Sequence, residues 1–254
     1  MKKLVWLAVA VLMVIGAESA VIRTIALARV IGGAPAAELS PLDSEIQRQV
    51  VALYGIDAGS ERHRAIDSDM KRGSLKYNSL PVVMLLHVVP GGLFLLAAPL
   101  QLSARLRSRY AVVHRSLGYL LLLLAIPFAL TGLYIGVRNP MFGPVGATAA
   151  VLLGSAFIHA GVRAYAAIRA GDRVSHRAWM LRFLALAYSI AVMRALSMIA
   201  FTLFSVSMSD IGAALFWIGP ILSALAAEWW IRRTTPASTR VRPARTGRPA
   251  PALS

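Results

Sequence analysis

The sequence predicts an all-α, polytopic integral membrane helical bundle of about six transmembrane helices, with a four-helix core, an N-terminal anchor and a C-terminal helix. Three observations predict it. Of 254 residues, 57% are hydrophobic and only 15% charged, whereas soluble domains sit near 45–50% and about 25%. The apolar residues come in blocks of ~20, the length that crosses a hydrocarbon core as helix. The cations gather in the short connections between blocks instead of spreading over a surface.

Each block has its own case. The run 4–17 follows Lys2 and Lys3, stops at Glu18, and resumes apolar but for Arg23 and Arg29. It reads as a cleaved signal peptide or as an uncleaved anchor. The anchor is preferred, because 14 residues reach the upper limit of a signal h-region. Residues 81–101 hold one ionisable group, His87; 116–137 hold none; 144–162 hold His159. Residues 178–208 carry Arg182 and Arg194, and 211–231 carry Glu228 near their end. The expected organisation is an N-terminal signal anchor (1–33), an external segment (34–80), a five-helix membrane domain (81–233) and a disordered basic tail (234–254). Within the external segment, Ile46, Val50, Leu53 and Tyr54 recur at helical spacing and predict a short helix over 42–54, between Pro41 and Gly55.

The formal charge of +16 invites a nucleic-acid partner, but its placement excludes one. Arg105, Arg107, Arg109 and Arg115 fill one short link without an acid; Arg163, Arg169, Arg173 and Arg177 flank another against Asp172 alone; six more, Arg232, Arg233, Arg240, Arg242, Arg245 and Arg248, follow the last block with no acid. The segment 34–80 balances six cations with seven acids. No aromatics interleave with the tail arginines as a strand-stacking surface requires. The pattern is that of cations held on the cytoplasmic side of a bacterial inner membrane, with both termini inside. The partner it implies is a bilayer with anionic headgroups, which attract juxtamembrane arginines. A membrane-protein partner or a second copy is the further partner to test.

Cysteine is absent, which excludes disulfides, zinc–thiolate sites, iron–sulfur clusters and thiol nucleophiles. No HExxH, GxSxG or P-loop occurs. The chemistry-bearing residues are therefore the ionisable groups inside apolar blocks, which normally face the protein interior and pair. His87, His114, His159 and His176 fall on four successive helices, and His114-Arg115 and His176-Arg177 occupy equivalent helix starts. Two imidazoles facing across a bundle can ligate a b-type haem iron, and rim arginines can hold its propionates. The cofactor candidate is thus haem b or a quinone at His114 and His176, with His159 and His87 deeper and Arg115, Arg177 and Arg182 around it. The competing readings give the same residues a structural role, or a role in ion-coupled transport. Arg194, Gln101 and Glu228 complete the expected polar interior. Arg194 is expected to pair with His87, with a carbonyl freed by Pro90, or with Asp210, Glu228 lying too far away. Gly146, Ala150, Gly154 and Gly161 form a small-residue stripe that predicts a close helix–helix contact. Trp179, Trp229 and Trp230 suit an aromatic belt.

Several motifs then occur in a familiar order: His87-Val-Val-Pro-Gly-Gly, Ala98-Pro99-Leu100-Gln101-Leu102, Arg105-Leu-Arg107, His114-Arg115-Ser-Leu-Gly118-Tyr119, His176-Arg177-Ala-Trp179-Met180-Leu-Arg182, Arg194 and Ala227-Glu228-Trp229. Together they resemble a bacterial family of predicted membrane proteins, domain of unknown function 2306, over about residues 80–233. Ala98 stands where that pattern has glycine, and Leu102 where it has an aromatic. The resemblance implies a multi-helix membrane protein and supplies no activity.

Overall fold

The computed structural model describes residues 2–36, 38–204 and 208–235. Among them nine helices and no strands are found: α1 Lys2–Ile31, α2 Pro41–Leu53, α3 Glu61–Asn78, α4 Pro81–Gln101, α5 Ala104–Arg109, α6 Ala111–Arg138, α7 Gly143–Arg169, α8 Arg173–Phe204 and α9 Met208–Thr234. Six of them, α1, α4 and α6 to α9, are long and apolar enough to cross a membrane. The expected tail 234–254 lies outside the described residues beyond Thr235.

The long helices run past the limits that the apolar blocks set. Helix α6 starts at Ala111 instead of 116, α7 continues to Arg169 instead of 162, and α8 starts at Arg173 instead of 178. Arginine is a good helix former, so charge moves a helix end out of the hydrocarbon without breaking it. The ends are set by caps. Gly171, at φ 75°, turns the chain after α7. Asp172 Oδ1 then accepts from the amides of Val174 (3.1 Å) and Ser175 (2.9 Å) to start α8. The only acid of that link is a helix cap.

Helices α4, α6, α7 and α8 form the core, with α4 beside α6, α6 beside α7 and α7 beside α8. Helix α1 packs on α4 and α8, and α9 on α8. At the centre each core helix contributes one phenylalanine. Phe157 stacks on Phe183 at 4.3 Å between centroids and meets Phe128 edge-on at 5.5 Å, while Phe94 lies edge-on to Phe183 at 5.4 Å. Phe94, Phe157 and Phe183 are buried. Edge-to-face geometry suits the ring quadrupoles, and it ties four helices that lipid would otherwise solvate as well as they solvate one another.

Small residues set the helix spacing. A Cβ on Gly136 would run into Ala150, one on Gly154 would lie 2.5 Å from Leu133, and one on Gly161 would lie 2.9 Å from Phe183. The small-residue stripe of α7 thus meets α6 at Ala150 and Gly154 and α8 at Gly161. Gly92 receives Ala20 of α1 in the same way, at 2.7 Å from a built Cβ. Helix α1 is one unbroken 30-residue helix, and its Leu12 and Met13 pack on the core.

Helices α2 and α3 make a small cap over one end of the bundle. Helix α2 begins one residue before the expected 42, with Pro41 at its first turn and Ser40 as its N-cap. Helix α3 is absent from the sequence expectation, its polar composition having hidden it; Ser60 caps it and Glu61 opens its first turn. The buried Asp43 carboxylate pairs with Arg23 of α1 and accepts from the Ser40 hydroxyl at 2.7 Å. Asn139 Nδ2 donates to the Lys76 carbonyl at 2.6 Å, and Lys76 Nζ to that of Pro140 at 2.7 Å, joining α3 to the α6–α7 turn. The opposite end of the bundle holds α5, the α7–α8 turn and the arginines.

Candidate basic-end site

Proline chemistry organises the approach to the site. Pro99 in α4 has no N–H to offer the carbonyl of Leu95, four residues back. The Tyr188 hydroxyl of α8 takes that carbonyl at 2.5 Å, and Tyr188 is buried. One turn further on, α4 ends at Gln101, a buried residue whose Nε2 donates to the His114 carbonyl at 3.1 Å. Arg107 of α5 donates to the terminal α4 carbonyls of Gln101 (3.2 Å) and Leu102 (3.1 Å). A cation at a helix C-terminus meets the negative end of its dipole.

These contacts bring the ends of α4, α5, α6 and α8 together. Gln101 thereby links Arg107 to His114, its carbonyl accepting from the one and its amide donating to the carbonyl of the other. His176 Nδ1 lies 2.8 Å from the Ala164 carbonyl, so it carries the proton and leaves Nε2 as a free lone pair. His114 Nδ1 is buried and has no hydrogen-bond partner among the described residues. Arg177 Nη2 donates to Thr234 Oγ1 at 2.6 Å. His114 and His176 occupy equivalent starts of α6 and α8, and Arg115 is exposed and makes no hydrogen bond or ion pair among the described residues.

The other expected members lie elsewhere. His87 sits near the cap end, where its Nδ1 donates to the Phe128 carbonyl at 2.9 Å and its ring stacks on Phe128 at 4.7 Å. Gly132 accommodates that ring, because a Cβ there would lie 2.9 Å from His87 Cε1. His159 is exposed on the flank of α7, edge-on to Trp179 at 5.4 Å. Glu228 does not line the interior. It sits half-exposed on the flank, where both oxygens bind Arg182, Oε1 to Nε at 2.5 Å and Oε2 to Nη2 at 3.1 Å. Register explains the correction: Arg182 and Glu228 are both a few turns from the basic end of neighbouring helices.

Two of the three partners expected for Arg194 do not bind it. His87 is engaged with Phe128, Pro90 frees no carbonyl to it, and the Asp210 side chain lies outside the described residues. Among the described residues Arg194 makes no hydrogen bond or ion pair. Trp179 is more than a belt residue, since the guanidinium carbons of Arg182 and Arg163 lie 4.7 and 5.2 Å from its ring centre. Sequence reasoning missed Arg107 as a site member and Tyr188 altogether. The signal for Tyr188 was Pro99, which had to orphan a carbonyl four residues earlier.

Neither a curated protein nor a solved structure matches the chain. A family model does, over residues 84–231, a stretch running from α4 into α9. It covers more than half of the chain and contains the phenylalanine quartet, both histidines of the basic end and the Arg182–Glu228 pair. The chain therefore belongs to the family described as predicted membrane protein (DUF2306).

Proposed function

We propose that the chain is a membrane-embedded binding protein whose ligand presents an anionic group to the basic end of the four-helix core, between His114 and His176. The observation that carries this reading is the buried, unpartnered Nδ1 of His114, on the helix end that Gln101 ties to Arg107. The cations Arg107 and Arg177 at this end repel each other in low dielectric, and an entering anion relieves that repulsion. The orphaned Nδ1 of His114 supplies a hydrogen-bonding atom already stripped of water. The same reading takes 1–33 as a retained anchor, 34–80 as the external cap and 81–233 as the membrane domain. It assigns the arginine-rich links, both termini and the basic tail 234–254 to the cytoplasmic side of a bacterial inner membrane, where such cations accumulate.

A second reading is b-type haem held by the same two histidines. What favours it is His176, whose Nδ1 is committed to a backbone carbonyl so that Nε2 is available to a metal. Arg107 and Arg177 would then face the propionates, and haem would supply electron transfer. One preparation tests both readings. The full chain is purified in mild detergent from haem-replete cells, its spectrum recorded, and its thermal unfolding followed with inorganic phosphate against chloride at equal ionic strength. The anion reading expects a featureless spectrum and a phosphate-dependent rise in midpoint that His114→Ala and Arg177→Ala abolish. A Soret band that His114→Ala and His176→Ala remove supports haem instead. Absence of both the shift and the band overturns the two readings together.

A further inference from the structure

On the flank formed by α7, α8 and α9, groups that water would stabilise face lipid. His159 and Arg163 lie one turn apart on α7 and both are exposed. Trp179 of α8 has two guanidiniums against its ring, Arg182 at 4.7 Å and Arg163 at 5.2 Å from its centre, with the His159 ring edge-on at 5.4 Å. Arg163 is six residues from Arg169 at the end of α7, Trp179 six from the start of α8, and Glu228 six from the end of α9. At 1.5 Å per residue each lies about 9 Å inside the basic end of its helix. The cluster is therefore below the headgroup surface but within reach of a snorkelling headgroup.

Its charges do not balance. Two arginines meet one carboxylate, and both oxygens of Glu228 are given to Arg182. Arg163 has the indole face and, among the described residues, no hydrogen bond or ion pair. A guanidinium offers five N–H donors in a planar fork that matches phosphate; here they are exposed and aimed by the indole. The surface beyond the cluster changes character along the helices. On α7 the row Leu152, Ala156, His159, Arg163 is exposed throughout and passes from apolar to cationic. On α9 Leu225 is exposed one turn from Glu228, whose charge Arg182 neutralises. An amphiphile with a negative head has this polarity sequence.

We propose that Arg163, held against Trp179, binds the phosphate of an anionic phospholipid whose acyl chains run along the apolar rows of α7 and α9. The Arg182–Glu228 pair also rests on the indole and carries no net charge of its own. The site shares no residue with the histidine pair of the core, so either can fail without the other.

Native mass spectrometry of the full chain in mild detergent tests this, with phosphatidylglycerol or phosphatidylcholine of identical acyl chains added. Wild type is expected to retain phosphatidylglycerol in preference. Arg163→Leu should weaken that retention about fivefold, the loss of one headgroup-facing cation, whereas Arg105→Leu at the same end of the bundle should not change it. Arg163→Lys keeps the charge but not the fork and should fall between. It serves as the readout if the leucine variant does not fold. Equal binding of the two lipids, an unchanged preference in both Arg163 variants, or displacement of the lipid by inorganic phosphate at matched ionic strength would each overturn the assignment. So would a lipid-independent dimer that Arg163→Leu dissociates, because a second copy would then cover this flank.

Discussion

Replacing Tyr188 by phenylalanine removes one oxygen from a buried ring and leaves its shape. The hydroxyl donates at 2.5 Å to the Leu95 carbonyl, which Pro99 deprives of its ordinary helical donor. Interhelical hydrogen bonds in membrane proteins average about 0.6 kcal/mol and reach about 1.7, because the separated helices still find partners. Leu95 has no such alternative, since its own helix cannot supply an amide. A buried carbonyl left unmet costs about 1–3 kcal/mol, so Tyr188→Phe should destabilise the bundle by about 1.5 kcal/mol. Pro99→Ala restores an amide to Leu95, and the tyrosine hydroxyl becomes redundant. In that background Tyr188→Phe should cost no more than about 0.5 kcal/mol, a coupling of about 1 kcal/mol between two residues on different helices. Reversible unfolding in mixed micelles, followed by circular dichroism, measures all four corners of the cycle. Equal costs of Tyr188→Phe with and without Pro99 would show that the proline does not create the need for the tyrosine.

Four further outcomes follow from other contacts. Arg23→Leu strands the buried Asp43 carboxylate, a loss of about 3–5 kcal/mol for one partner of a buried pair; it should free the cap from α1 and expose the turn around Gly55 to limited proteolysis while the membrane helices stay protected. Intact-mass measurement should find residues 1–20 still present in the purified protein, because cutting there would strip Leu12, Met13 and the Ala20–Gly92 contact from the bundle; a mass lacking them refutes retention. Reporter tags in the α5 link and after Thr235 should report the same face of the membrane, since α6 to α9 make two complete returns; opposite faces would break the topology. In the cap, the Lys71 ammonium hydrogen-bonded to Asp67 holds that carboxyl below its usual value of 3.8. The stabilisation is therefore complete above that value and fades as pH falls through the lower folded value, so protease resistance of α3 should drop on acidification, and Asp67→Asn should abolish the pH dependence.

Hydropathy made the lipid-crossing helices legible because it reports a property of the whole window. Helix α4 lies at the residues expected, Pro81–Gln101, where Pro81 opens the helix and Ser103 starts the next one. The ends of α6, α7 and α8 were misjudged because the windows stopped at charge, and charge does not stop a helix whose next turn lies among headgroups. Helix α3 was missed for the converse reason. Its surface is nearly all polar, only Ile66, Ser74 and Asn78 being buried, so its periodicity is faint, although Ser60-Glu61 carried the cap signal.

The site was legible only in part, and the difference lies in helical phase. His114 and His176 occupy the fourth position of α6 and α8, and two helices starting at the same end of a bundle bring equivalent positions to one depth. Depth was enough to find that pair. It was not enough for His159, which belongs to the inner half by depth but to the lipid-facing side by rotation, since Phe157 two residues earlier holds the inward direction of α7. Residues two apart on a helix are separated by about 200°, so placing Phe157 in the quartet sends His159 to the flank. The same reckoning applies to α8: Phe183 points inward, and Arg182, about 100° away, faces α9 and Glu228 instead of the histidines. Once one phenylalanine per helix is known to mark the interior, the four core histidines sort themselves: two lie at the basic end, one packs on Phe128, and one faces lipid.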